Sequence, residues 1–139
     1  MTGMGIFLNE RHVHLSRCCQ LKSPLRKIVR QLSFSDSVFD VITAVETHFW
    51  WPALPTDLRE VLRVLKSGGR LIIIAEVYKG AATLTSKAVE GFPEKTGMAL
   101  LSVQENRELL TNAGYSDVQA ITEPSKGWIC CIGSKSPVS

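Results

Sequence analysis

The stretch "EVLRVLKSGGRLIIIAE", residues 60 to 76, decides the fold. Leu54, Leu58, Val61, Leu62 and Leu65 recur at i, i+4, i+7, i+8 and i+11, one apolar face of a helix laid on a sheet. Lys66 falls in the expected last turn, where a cation meets the negative end of the helix dipole. Gly68 and Gly69 follow, and one of them is expected to take the left-handed conformation that stops a helix. The chain then enters "RLIIIAE" (70 to 76), bare and aliphatic as a buried parallel strand is. Helix, glycine stop and buried strand together make half of a βαβ unit.

Working outward, "FDVITAV" (39 to 45) reads as another strand buried on both faces, with turn chemistry, "SFSDS" (33 to 37), ahead of it. Two prolines exclude regular helix from "WWPALP" (50 to 55). Ser102 followed by Glu105 makes a capping box that opens a helix through Leu109, Leu110 and Ala113, closed by Gly114. "SDVQAIT" and "GWICCIG" flank the turn "EPSKG" (123 to 127) as an antiparallel hairpin. Alternating strands and helices predict an α/β fold with parallel strands and crossover helices.

Length and composition bound the function. The chain of 139 residues holds one domain's worth of core, with 45% apolar and 21% charged residues. Its longest bare aliphatic run is far too short to span a membrane, and the N-terminus lacks the apolar run of a secretory signal, so a cytoplasmic protein is expected. The cysteines form two adjacent pairs, Cys18-Cys19 and Cys130-Cys131, without metal or redox spacing, so no metal site is expected. Neighbours on a strand point to opposite faces, which makes both pairs apolar fillers in a reducing compartment.

Charge is uneven. Residues 1 to 35 carry six Lys or Arg against one acid, and the remainder ten against twelve. Such a segment suits a transit peptide, a nucleic-acid arm or a solvated leader. Without Arg-Gly repeats or interleaved aromatics the last is favoured, and no nucleic-acid partner is expected. Residues 1–24 are expected to be an unassigned, poorly ordered leader, and residues 25–139 the domain.

With its elements in this order, the chain resembles the class I, S-adenosylmethionine-dependent methyltransferases of the type 11 group. The resemblance rests on "LSFSDSVFDVITAVETHFWW", "LREVLRVLKSGG", "EVYKG" and "GMALLSVQENRELLTNAGYSDVQ", from about Ile28 onward. Ser33 and Ser67 stand where that family usually has turn-stiffening prolines. The resemblance implies a Rossmann-like sheet of order 3-2-1-4-5-7-6, of which this chain supplies strands four to seven. The fold is therefore expected to be incomplete, a C-terminal portion only.

It also implies a cofactor site at the carboxyl ends of the strands, with Ala44, Val45 and Glu46 on the cofactor side. His48, Trp50, Trp51, Glu76 and Tyr78 are the substrate-pocket candidates, His48 as a general base and the tryptophans as an apolar wall. Asp40 is a polar anchor at the start of its strand. No catalytic motif is expected, because methyl transfer depends largely on placing the acceptor in line with the sulfonium.

The glycine-rich loop and the ribose-binding acid of the family have no counterpart upstream of Phe39; "TGMGIF" (2 to 7) follows no strand. The expected function is methyl transfer from S-adenosylmethionine to a small molecule, with the cofactor-binding half missing. The alternative is a truncated or degenerate fold without catalysis, acting as an interaction or dimerisation module. Without strand one, the edge of the 39–45 strand is expected to be open, ready for a second copy, a partner chain or the leader.

Overall fold

The computed structural model describes residues 3–9, 12–18, 32, 34–45, 53–90 and 99–137, the first two segments and Val89 as backbone. Nine elements follow in chain order: β1 (Gly3–Asn9), β2 (His12–Cys18), β3 (Phe39–Val45), α1 (Leu54–Val64), β4 (Leu65–Ala75), α2 (Leu84–Val89), α3 (Val103–Asn112), β5 (Ser116–Glu123) and β6 (Trp128–Ser134). The strands form one sheet of order β1-β2-β3-β4-β6-β5. Strands β2, β3 and β4 are parallel; β6 runs against both β4 and β5, and β1 against β2.

Helix α1 starts with Pro55 in its first turn, where no N–H is missed, and Asp57 Oδ2 accepts from the Ala53 N–H at 3.0 Å. Leu58, Val61 and Val64 are fully buried. Val64 therefore joins the packed face, while Leu62 is only half-buried.

The end of this helix differs from the sequence expectation. It stops at Val64, and Leu65 is already extended, with φ −73° and ψ 140°. The last carbonyls need no glycine cap because neighbouring chain takes them. Ser37 N–H donates to Arg63 O at 3.0 Å and Val38 N–H to Val64 O at 2.8 Å. Lys135 Nζ donates to Leu65 O at 2.8 Å and Arg63 O at 3.4 Å. The basic residue of the last turn is thus Arg63, and Lys66 instead faces Asp40 at 3.6 Å.

Gly68 does take a positive φ, +77°, but within β4, where the register with β3 shifts from Phe39↔Leu65 to Val41↔Arg70. A Cβ on Gly69 would lie 2.8 Å from Lys66 O. The two glycines shape a bulge rather than stop a helix.

The edge expected to be open along β3 is paired. Strand β2 runs beside it in parallel, from His12↔Val41 to Ser16↔Val45. Its residues lie in the segment expected to be a poorly ordered leader. Only two residues separate Asn9 from His12, too few for a parallel crossover, so β1 folds back antiparallel. The outer edge on this side is β1.

One sheet face carries Ile42, Ala44, Leu71, Ile73, Cys131 and Gly133, all buried, under α1 and α3. Tyr115 reaches through this core, its hydroxyl donating to Leu58 O at 2.8 Å. A Cβ on Gly133 would lie 2.9 Å from the Tyr115 ring. The capping box of α3 forms as expected: Glu105 N–H donates to Ser102 Oγ at 3.1 Å, and Ser102 N–H to Glu105 Oε2 at 2.7 Å. Gly114, with φ +106°, follows its end. Cys130 and Cys131 are free and face opposite ways; burial, with Cys130 beside it, pushes the buried Cys131 thiol up to about 12.

Gly133→Ala forces a methyl group into the Tyr115 ring and should cost about 1–3 kcal/mol in urea unfolding. Glu60 should contribute to acid sensitivity. Its Oε1 accepts from Arg63 Nη2 at 2.7 Å and from Leu32 N–H at 2.9 Å. Chiefly the Arg63 guanidinium holds its carboxyl below the ordinary 4.5, against the opposing effect of burial. A depressed carboxyl stabilises the fold above its unfolded value, and that stability is lost as pH falls through the folded value. Stability should therefore drop on acidification below about pH 4.5, and Glu60→Gln should flatten that dependence in pH-resolved thermal unfolding.

Candidate functional site

Parallel strands put their carboxyl ends on one side of a sheet, and open α/β sheets bind ligands there. In this chain Ser16, Val45 and Ile74 stand level across β2, β3 and β4 at that side. Ala44 is buried and, in register with Ile73, points into the helix-covered face; Val45 points to the other. Glu46, His48, Trp50 and Trp51 lie outside the described residues. Glu76 is exposed just past the end of β4, and Tyr78 is buried against the core. The structure thus brings Ala44, Val45, Glu76 and Tyr78 to one end of the sheet. Asp40 lies at the opposite end.

Three further pieces frame this end. The turn at Tyr78–Ala81 is tied to the start of α3, since Lys79 N–H donates to Leu101 O at 3.0 Å and Lys79 Nζ faces Glu105 at 3.6 Å. Glu105 is held below its ordinary range, first by the Ser102 backbone N–H and also by Lys79. Next comes α2, whose cap Thr83 accepts from Ser86 N–H at 3.2 Å and donates to Ser86 Oγ at 3.0 Å. The third piece is the turn between β5 and β6. Gly127, at φ +74°, sits so close to α2 that a Cβ would lie 2.6 Å from Thr83 Oγ1.

Trp128 opens β6 beside this turn, 43% exposed, with Lys126 Nζ 4.4 Å from its ring centre. Thr83, Ser86, Lys126 and Trp128 were not singled out from sequence. The available signal was the turn "EPSKG", which places whatever follows it at the ligand-side edge.

Among the described residues no group of three or more His, Cys, Asp or Glu could hold a metal ion. No helix among them is long and apolar enough to cross a membrane.

This sheet, with β3 and β4 central, β6 antiparallel beside them and a ligand edge at the carboxyl ends, defines a Rossmann-like α/β domain. A family described as a methyltransferase domain matches residues 4–73, about half of the chain, and the chain belongs to that family. The match begins well ahead of Ile28 and takes in β1 and β2. Methyltransferase GfsG of Streptomyces halstedii is 31% identical over 96 residues, 68% of this chain and 34% of that protein.

Among solved structures, a SAM-dependent methyltransferase of Thermotoga maritima superposes with a TM-score of 0.62 at 22% identity, over 78% of this chain and 61% of its own. A methyltransferase of Haloferax volcanii, solved with its activator Trm112, gives 0.63 at 19%, over 78% and 59%. The chain spans about a third of the curated relative and about three fifths of these two structures.

The contact between Gly127 and α2 can be tested directly. Gly127→Ala should destabilise the fold by about 1–3 kcal/mol, from both the positive φ and the clash. In a Thr83→Ala background the same change should cost less, and a double-mutant cycle in urea reads the difference.

Proposed function

We propose that this domain belongs to a methyltransferase that transfers a methyl group from S-adenosylmethionine to a small molecule. The observation that carries the reading is the level alignment of the carboxyl ends of β2, β3 and β4, framed by α2 and the β5–β6 turn, in a chain of the methyltransferase-domain family. Val45 and Ile74 supply apolar wall at this edge. The chain's own contribution to catalysis would be placement of the acceptor against the methyl group, which alone removes much of the barrier in such displacements.

The residues fit the cofactor only in part. A glycine-rich turn lets backbone approach a ligand closely, and the strand beside β3 is the place for one. Residues 19–38, which leave β2, contain no glycine. The connection from β1 to β2 is two residues long, without room for a loop and helix. The polar anchor of S-adenosylmethionine is therefore not among the described residues, and no chemical step is assigned to it. The second reading is a methyltransferase fold that serves as an interaction module without catalysis.

Calorimetric titration of the purified chain with S-adenosylmethionine separates the two. Binding in the micromolar range, with competition by S-adenosylhomocysteine, supports the transferase reading and justifies an acceptor screen. A folded chain that gives no heat at millimolar ligand rejects cofactor binding by this chain and leaves the interaction module.

A further inference from the structure

Strand β6 alternates exposed and buried positions, with Ile129, Cys131 and Gly133 buried on the face under the helices. Lys135 continues that alternation just past the strand, so its side chain starts on the helix-covered face, beneath the end of α1. Its N–H, carbonyl and ammonium all bond to residues 63–69. The N–H donates to Gly69 O at 2.8 Å, and the carbonyl accepts from Gly68 N–H at 2.8 Å. The ammonium donates to Leu65 O at 2.8 Å and Arg63 O at 3.4 Å, where a cation meets the negative end of the helix dipole. Ser136 and Pro137 beyond it are exposed. Polar bonds of one residue therefore dock this part of the chain.

The carbonyl of Arg63 is shared. Ser37 N–H donates to it as well, at 3.0 Å, from the segment before β3. Ser37 stands at φ +57°, in the left-handed region that an L side chain enters at a cost. Ser35, Asp36 and Ser37 are exposed, and the Asp36 pair with Arg63 is open to solvent and screening. A strained residue on one side and a polar docking on the other thus hold the same helix end. Contacts of this kind, with few buried apolar groups behind them, open at low free energy.

We infer that Lys135 is a latch. When its ammonium leaves Arg63 O and Leu65 O, the segment Asp36 to Val38, the end of α1 and the Gly68–Gly69 bulge open together, while the core under α1 and α3 stays folded. The device lies at the sheet end away from the candidate site and is independent of methyl transfer.

Native-state hydrogen exchange of the full chain tests this amide by amide. In the wild type, the Ser37, Val38, Gly68 and Lys135 amides should open together, with less protection and a shallower urea dependence than those of Ile73 and Cys131 in β4 and β6. Lys135→Met keeps the stem and removes the ammonium. It should raise that shared opening about 10-fold or more, since hydrogen bonds to charged groups are the stronger ones. Ser37 and Val38 unchanged in this variant overturn the inference. So do four wild-type amides with the protection and urea dependence of Ile73 and Cys131, a result that decides even where the variant fails to fold.

Discussion

The structure depends on a junction with no loop in it. Helix α1 ends at Val64 and β4 begins at Leu65, so the helix must fold back onto the sheet within one peptide. Helical carbonyls that lose their partners at such an end need donors, and buried ones need them most. Here the donors come from two remote places: the backbone before β3 and the Lys135 side chain after β6. The helix end is therefore completed only when the strands that flank β4 are in position. Arg63 adds a second tie, bonding Asp36 at 2.6 Å, Glu60, and Leu32 O at 3.1 Å. Leu32, Asp36 to Val38, α1 and the chain after β6 thus meet at the end of the sheet away from the candidate site.

That division of labour matters for function. The amino end of the parallel strands is fixed by hydrogen bonds and ion pairs, including Lys66 with Asp40. The carboxyl end is built from strand termini, a tied turn, a short helix and a hairpin turn. A rigid scaffold at one end and connecting segments at the other is how α/β domains host variable chemistry. The same reasoning limits what the fold alone says, since one sheet end of this kind hosts many chemistries.

Much of this was legible locally. The apolar face of α1, the capping box at Ser102 and Glu105, the stop at Gly114 and the hairpin around "EPSKG" each rest on residues a few positions apart. The helix end was misplaced because its true caps, Ser37, Val38 and Lys135, are distant in sequence. Gly68 gave a correct signal for positive φ but a wrong one for its cause, because a bulge and a helix stop ask the same of a glycine. Strand β2 was missed although Val13 and Leu15 alternate with His12, His14 and Ser16, a period of two masked by the surrounding basic residues. Sequence placed Ala44, Val45, Glu76 and Tyr78 at the carboxyl ends of their strands, and the structure has them there. It could not reveal that the turn after β5 packs on α2, because that contact is tertiary.

The hydrogen bond from Lys79 N–H to Leu101 O has a consequence for how such domains diversify. It closes the chain between the end of β4 and the start of α3 at its base, and the Lys79–Glu105 pair reinforces the closure. Once a base is pinned, the entropy of the enclosed segment grows only with the logarithm of its length, about 0.6 kcal/mol for each doubling. Insertions in this segment outside α2 and its cap Thr83, which pack on Gly127, are therefore thermodynamically cheap while the sheet stays unchanged. Away from that contact, the rim of the candidate site can lengthen, shorten or change its side chains without touching the hydrogen bonds at the other end of the sheet.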